Sequence, residues 1–117
     1  MIHNFEDLLV WQKGHEFVLE VYKITKKYPE EEKFGLVSQI RRSSSSICAN
    51  IAEGNKKSTK DYLRYLDIAQ GSLEETKYHL ILSKDLSYIN NEQFIKLTEM
   101  IKEIGKMLNG LIQSLRH

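Results

Sequence analysis

The strongest constraint on the fold is an unbroken hydrophobic repeat near the end of the 117-residue chain. Its apolar residues are spaced alternately three and four positions apart: Phe94, Leu97, Ile101, Ile104, Leu108, Leu111 and Leu115. Because an α-helix turns once every 3.6 residues, this heptad spacing places all of them on one face. The repeat predicts a helix that buries this face against other helices.

Two helices are predicted before the middle of the chain from their apolar periodicity. The first covers residues 6–28 and ends where Pro29, the only proline, prevents continuation because its ring clashes with the preceding turn. The second covers residues 33–52 and ends before Gly54 and Asn55, residues typical of helix ends.

The third helix is predicted to begin at Ser58, with Asp61 completing a capping box, and to run to about Leu86. An asparagine at position 90 or 91 then caps the last helix. Four helices with short connections predict an all-α fold, an up-down-up-down antiparallel four-helix bundle, as a single domain over residues 1–117.

Composition favours a cytoplasmic protein. The single cysteine, Cys48, excludes an intrachain disulfide and a cysteine-based zinc site, and it fits a reducing compartment. There is no apolar run long enough to span a membrane, and residues 1–7 do not have the pattern of a signal peptide. We therefore expect no membrane association.

The first helix carries two apolar rows, which predicts contacts beyond its own subunit. One row consists of Leu8, Trp11, His15, Val18 and Tyr22, and the other of Val10, Gly14, Phe17, Val21, Ile24 and Tyr28. A helix that is apolar on two sides must be covered on two sides. From the second row we predict an oligomer interface at Val10, Phe17, Val21 and Ile24.

Small residues in the second and third helices predict close helix packing. The serine run at residues 43–46, followed by Cys48, indicates a surface that another helix can approach closely. Cys48 is expected to be a small core residue. Gly71 costs about 1 kcal/mol in mid-helix relative to alanine, which a tight helix crossing there would offset.

No pattern in the sequence indicates catalysis, a metal site or a cofactor. The four histidines are His3, His15, His79 and His117, and none completes the Glu-x-x-His pairs of di-iron bundles. We expect His15 to be partly buried or interfacial and His79 to lie on the surface. The chain also has no Gly-x-Ser-x-Gly elbow and no phosphate-binding glycine loop. The sequence therefore predicts a protein that is not an enzyme.

Charge is distributed unevenly although the formal net charge is only +1. Lysine and arginine exceed aspartate and glutamate by 5 in residues 33–60, whereas residues 1–32 have a net charge of −3. The candidate nucleic-acid-binding residues are Arg41, Arg42, Lys56, Lys57, Lys60 and Arg64. Such cations can contact phosphates. The alternative is an ordinary solvated turn whose cations pair with acidic neighbours.

Four segments of the chain resemble a known family. They are residues 7–13 (DLLVWQK), 34–43 (FGLVSQIRRS), 46–54 (SICANIAEG) and 65–75 (YLDIAQGSLEE). Together they are similar to the four-helix-bundle proteins encoded within intervening sequences of bacterial 23S ribosomal RNA genes. The accessory variability determinant of diversity-generating retroelements belongs to the same group.

The resemblance implies a homopentameric ring with a basic face, nucleic-acid binding and no enzymatic activity. In the retroelement branch it also implies a reverse-transcriptase partner. Arg41, Arg42, Asn50 and Glu53 occupy matching motif positions, and we expect Asn50 and Glu53 to fix the corner between the second and third helices. An alternative function is a protein-interaction scaffold that docks a reverse transcriptase or another partner.

Overall fold

The computed structural model describes residues 4–116, and its four α-helices pack as a bundle. They are α1 (Leu9–Thr25), α2 (Leu36–Gly54), α3 (Thr59–Asp85) and α4 (Asn91–Arg116). Consecutive helices contact one another, and α1 also contacts α4, which closes the bundle. The long dimension of 44 Å is close to the length of the 27-residue α3 at 1.5 Å per residue. The predicted all-α four-helix bundle is confirmed.

The helix starts show why the boundaries of α1 and α2 differ from the predicted ones. Residues Phe5–Asp7, at the predicted start of the first helix, form a short 3-10 helix, and a second one, Glu30–Glu32, precedes α2, which begins at Leu36 and not at residue 33. The Glu32 carboxylate accepts a hydrogen bond of 3.1 Å from the Leu36 amide, and this caps α2. That bond, together with one donated by the Tyr88 hydroxyl, lowers the pKa of Glu32.

The predicted caps of α3 and α4 are present. The Ser58 hydroxyl accepts a hydrogen bond from the Asp61 amide at 3.2 Å. Asn90 and Gln93 form a reciprocal pair: the Asn90 side chain accepts from the Gln93 amide at 2.8 Å, and the Gln93 side chain accepts from the Asn90 amide at 2.9 Å. Each cap satisfies amides that have no partner within the helix.

The heptad face of α4 lies in the core, with one shift of register. Leu97, Ile101, Ile104 and Leu108 are buried, as predicted. Beyond them Ile112 is buried whereas Leu111 is only half-buried. A straight helix drifts by about 20° per heptad, so the buried stripe moves by one position toward the end of a long helix.

Small residues allow α2 to lie close to α3. Ser43 and Ser44 are fully buried, and the Ser72 hydroxyl donates a hydrogen bond to the Ser46 hydroxyl at 3.0 Å. A Cβ atom built on Gly54 would lie 2.7 Å from the Cβ of Tyr65. The expected close approach of another helix at the serine run is therefore an approach of α3 within the same subunit.

Two further expectations about small residues have opposite outcomes. Cys48 is buried, as expected, and burial raises the pKa of its thiol to about 12. Gly71 is exposed, and a Cβ atom built there has no neighbour within 4 Å. The predicted tight helix crossing at Gly71 is therefore absent from the subunit.

The structure corrects the predicted oligomer interface on α1. Val10, Phe17 and Val21 are 5%, 0% and 0% exposed, because the other helices of the same subunit cover them. Ile24 is half-buried and packs against the same core. The row proposed for a second subunit is thus the core row of α1, and the prediction was wrong for Val10, Phe17 and Val21.

Candidate nucleic-acid interface

The α2–α3 corner presents four exposed cations. Lys56 and Lys57 lie in the turn after α2, and Lys60 and Arg64 lie in the first two turns of α3. None of the four forms an ion pair with another residue of the segment 4–116. The close contact of Gly54 with Tyr65 makes the turn compact, and this keeps the four side chains at one end of the bundle.

A shallow cavity of about 360 Å³ lies beside these cations. Its lining consists of Lys57, Asp61, Arg64, Tyr65 and Ile68. Ile68 is exposed and Tyr65 is half-buried, so the cavity has an apolar wall next to two cationic side chains. Such a site can take a phosphate and the flat face of a base together.

Arg41 lies in the N-terminal part of α2, and its side chain contacts residues of α1 in the same subunit. Its Nε donates a hydrogen bond to the Thr25 hydroxyl at 2.9 Å, and its guanidinium lies 4.4 Å from the centre of the Tyr22 ring. One terminal nitrogen also reaches the Tyr22 carbonyl at 3.4 Å. Arg41 thus places a positive charge at the C-terminal end of α1, where the helix dipole favours a cation.

Arg42 is exposed but paired. Its Nη2 lies 2.7 Å from the Glu75 carboxylate of α3 and 3.2 Å from the Gln39 side chain. Arg42 and Lys56 are 14 residues apart, which corresponds to about 20 Å along α2. The structure therefore does not bring the six predicted cations together. Arg41 and Arg42 contact neighbouring helices of the same subunit. The other four form one cluster: Lys56, Lys57, Lys60 and Arg64.

Asn50 was expected to fix the α2–α3 corner, but its side-chain hydrogen bonds lie one turn back along α2. The Asn50 side chain donates to the Ser46 carbonyl at 2.8 Å and to the Ser46 hydroxyl at 3.0 Å, one turn earlier in α2. Because Ser46 also accepts from Ser72 of α3, Asn50 does support the α2–α3 contact. Glu53 is exposed.

His79 is buried between α2 and α3, contrary to the expectation of a surface position. Its Nδ1 lies 3.2 Å from the Ser43 hydroxyl, and its Nε2 lies 3.7 Å from the Glu75 carboxylate. Burial lowers the pKa of His79; Glu75 acts against this shift and Arg42 adds to it. Ser43, which is fully buried, also lies 2.8 Å from the Thr76 hydroxyl. The cluster is a polar contact between two packed helices.

His15 is exposed in the subunit, so the first of its two expected positions, partial burial, was wrong, and the second, an interface position, stays a prediction. Its ring stacks on Trp11, with the ring centres 5.2 Å apart and the planes only 7° apart. Together with Tyr22 and the half-buried Val18, these side chains form the outer row of α1. Trp11 is also half-buried and packs against the core, so the subunit covers this apolar row only in part. His3 and His117 lie outside the described residues.

The side of the bundle formed by α3 and α4 contains a groove of about 590 Å³. Lys77 of α3 and Lys102 and Lys106 of α4 line it. Lys77 forms an ion pair of 3.1 Å with Glu74. We name this feature the α3–α4 groove.

Residues 4–116 contain no cluster of three or more histidine, cysteine, aspartate or glutamate side chains that could hold a metal ion. No helix in the same range combines the length and the apolar character that spanning a lipid bilayer requires.

The sequence model of the 23S rRNA-intervening sequence proteins matches residues 6–110, which cover all of α1–α3 and most of α4. The chain belongs to this family. The resemblance carried by the four sequence segments is thereby confirmed. No curated protein is significantly similar to the chain.

A solved structure with the same fold comes from the same group of proteins. It is the crystal structure of a protein of unknown function from the S23 ribosomal protein family of Bacteroides thetaiotaomicron VPI-5482. The two chains are 33% identical, and the match covers 92% of this chain and 98% of the other with a TM-score of 0.83. The two structures therefore share the bundle fold over most of this intervening-sequence protein.

Sequence reasoning missed two features of this family member. His79 follows Thr76 by three residues and precedes Ser83 by four, a spacing that places all three polar residues on one side of α3. That spacing could have predicted that His79 is buried together with the other two residues. The α3–α4 groove gave no such signal, because its lysines are interspersed with acidic residues and Lys77 lies 25 or more positions before Lys102 and Lys106.

Proposed function

We propose that the chain is a non-enzymatic, oligomeric protein of the cytoplasm that binds nucleic acid through its α2–α3 corner. The observation that carries the proposal is the group of four exposed cations, Lys56, Lys57, Lys60 and Arg64, without ion pairs among the described residues. Unpaired cations can release the counterions of a phosphate backbone without first breaking contacts in the protein.

The start of α3 adds to the positive potential of the corner. Lys60 lies in the first turn of α3, where unpaired backbone amides and the helix dipole favour anions. Asp61 in the same turn offsets part of this potential. The corner still has a net charge of +2, since its four cations outnumber its two acidic residues, Glu53 and Asp61.

The test is a fluorescence-polarisation titration with labelled structured RNA and duplex DNA at 50 mM salt. We expect a variant with alanine at Lys56, Lys57, Lys60 and Arg64 to bind at least ten times more weakly than the wild type. The control variant has alanine at four cations elsewhere: Lys13, Lys23, Lys26 and Lys33. It has the same net charge and should bind nearly as the wild type does. Equal losses in both variants would indicate a general charge effect and would reject the corner as the site.

We also propose that the chain forms a homo-oligomer, in the form of a pentameric ring, through the outer row of α1. The support is the apolar surface of the half-buried Trp11 and Val18 together with Tyr22 and Leu19, which are 41% and 57% exposed. Exposed apolar area of this kind favours association. Light scattering should give five times the subunit mass of 13.7 kDa.

Two matched substitutions test the location of this interface. Leu19→Glu on α1 should lower the mass measured by light scattering, whereas Ile95→Glu, at a 47% exposed position of α4, should leave it unchanged. If Ile95→Glu alone dissociates the oligomer, the interface lies on α4 and not on α1.

The second candidate function is a scaffold that docks a reverse transcriptase or another protein. The same outer row of α1 favours it, because the row could be covered by a partner instead of a second copy. A wild-type chain that is monomeric in light scattering and does not bind nucleic acid would favour the scaffold over the binding protein.

A further inference from the structure

The α3–α4 groove has the chemistry of a phosphate-binding cleft. Lys102 and Lys106 are separated by one helical turn, so their Cβ atoms are about 5–6 Å apart on the same side of α4. Neither lysine forms an ion pair with any residue between positions 4 and 116. Lys77 faces them from α3. Three ammonium groups against the single carboxylate of Glu74 give the groove a net positive charge.

The remaining lining suits the other parts of a nucleotide. Leu73 and Leu108 lie at the base of the groove, where they are 3% and 0% exposed, and the side-chain amides of Gln70 and Asn109 also line it. A primary amide both donates and accepts hydrogen bonds, as the edges of nucleobases do. The groove therefore combines cations, an apolar surface and amides within one cavity.

The groove extends toward the start of α4. A second cavity of about 180 Å³ shares Lys77 and Lys102 with it and has walls of Ile81 and Phe94. Along α3 the two cavities extend from Gln70 to Ile81, a length of about 16 Å at 1.5 Å per residue. That length fits up to about five stacked nucleotides at 3.4 Å each.

We propose that the α3–α4 groove and its extension bind a single strand of nucleic acid, with its phosphates on Lys77, Lys102 and Lys106 and its bases against the exposed Ile81 and the half-buried Phe94. Packed helices lie about 8–10 Å apart, so the groove between them is too narrow to admit a duplex. Cationic grooves that offer aromatic side chains to the bases bind single strands without strong sequence preference. The inference goes beyond the proposed function, because it assigns single-stranded nucleic acid to a second surface, separate from the corner.

The groove and the corner are separate surfaces. Lys60 and Lys77 are 17 residues apart on α3, which is about 25 Å along the helix. The corner cavity is lined by Arg64 and Ile68, whereas the groove is lined by residues of α3 that face α4. Substitutions at one surface therefore leave the other intact.

The test compares three proteins in a fluorescence-polarisation titration with a labelled oligothymidine of 20 nucleotides. The groove variant is Lys102→Glu/Lys106→Glu, and the control is Lys26→Glu/Lys33→Glu, which changes the net charge equally at exposed positions. The groove variant should bind the single strand at least tenfold more weakly than the control. The slope of log affinity against log salt should also be smaller by about 1.4, as expected for two lost phosphate contacts on a single strand.

A second variant tests the groove without changing the charge of the protein. A Cβ atom built on Gly105 lies in ordinary contact with Leu73, at 3.6 Å, so the larger side chain of Gly105→Leu should fill the groove without altering its charge. Circular dichroism confirms that each variant is folded. Weakened binding of oligothymidine by folded Gly105→Leu supports the groove as the site.

The outcomes separate this inference from the proposed function. If the groove variant and the control bind oligothymidine equally, the groove inference is wrong, and the corner is tested independently by its own variant with structured RNA. If the groove variant is weakened and the corner variant is not, the groove inference stands and the assignment of the corner fails. If the wild type binds neither probe at 50 mM salt, both are rejected.

Discussion

Replacing Gly54 by alanine should destabilise the protein, although alanine is the better helix former. Gly54 is the last residue of α2, and a Cβ atom there would lie 2.7 Å from the Tyr65 Cβ and 2.8 Å from the Tyr62 Cδ1. Real Cβ atoms essentially never come this close, so α2 and α3 must separate. Overpacking of this kind costs about 1–3 kcal/mol, and the gain in helix propensity is at most about 1 kcal/mol. We expect a net loss of about 1–2 kcal/mol.

Gly71→Ala is the matched control, because it is the same substitution in a helix with open space around it. A Cβ atom built on Gly71 has no neighbour within 4 Å, so only the propensity gain of about 1 kcal/mol applies. The two variants should therefore differ by about 2–3 kcal/mol in the free energy of unfolding.

The assay is urea unfolding followed by circular dichroism at a fixed protein concentration, with the dependence of free energy on denaturant compared between variants. Unfolding midpoints on opposite sides of the wild-type value, with unchanged slopes, are expected. A Gly54→Ala protein as stable as the wild type would refute the close packing of α2 on α3 at the corner that carries the proposed binding site.

Three further predictions concern buried polar groups. Because burial lowers the pKa of His79 in the folded state, the unfolded chain binds more protons than the folded protein at acidic pH. The free energy of unfolding should therefore fall as pH decreases from 7 to 5, and His79→Gln should reduce this fall. A pH dependence that is unchanged in His79→Gln would contradict the assignment. The Tyr62 hydroxyl is buried without a hydrogen-bond partner among the described residues. Tyr62→Phe should therefore raise the thermal unfolding midpoint by a few degrees. A lower midpoint in this variant would show that the hydroxyl is hydrogen-bonded. Because Cys48 is buried and its pKa is raised to about 12, a thiol reagent at pH 8 should modify it slowly in the native protein and fully in urea; rapid modification of the native protein would contradict its burial.

Helix number, helix caps and the core face of α4 could be predicted from sequence because each depends on local chemistry. The spacing of Leu97, Ile101, Ile104 and Leu108 identifies a buried face without any knowledge of the neighbouring helices. Ser58 and Asn90 cap helices through bonds that span only three residues. Such signals are contained within one segment of the chain.

The two apolar rows of α1 show what local sequence patterns cannot predict, namely which face of the helix lies in the core. Both rows have helical spacing and similar apolar character, so periodicity alone does not decide which one faces the core. The positions of α2 and α4 decide it, and they cover Phe17 and Val21 while Tyr22 is left exposed. The predicted interface was wrong because the choice depends on tertiary packing.

The candidate binding site was predictable only in part for a similar reason. Counting charges by segment identified the corner, where Lys56, Lys57 and Lys60 are close together in the sequence. The same count joined Arg42 to them, although Arg42 pairs with Glu75 of another helix. The same count did not identify the groove, because Lys77 and Lys102, which line it together, are 25 positions apart in the sequence.

The most direct test of the central claim is the salt dependence of nucleic-acid binding with and without the corner lysines. Log affinity for duplex DNA should fall linearly with log salt, with a slope of about −0.9 for each phosphate contact. Alanine at Lys56, Lys57 and Lys60 should therefore reduce the slope by about 2–3. A slope that is the same in this variant and in the wild type would contradict the claim that the corner contacts the phosphate backbone.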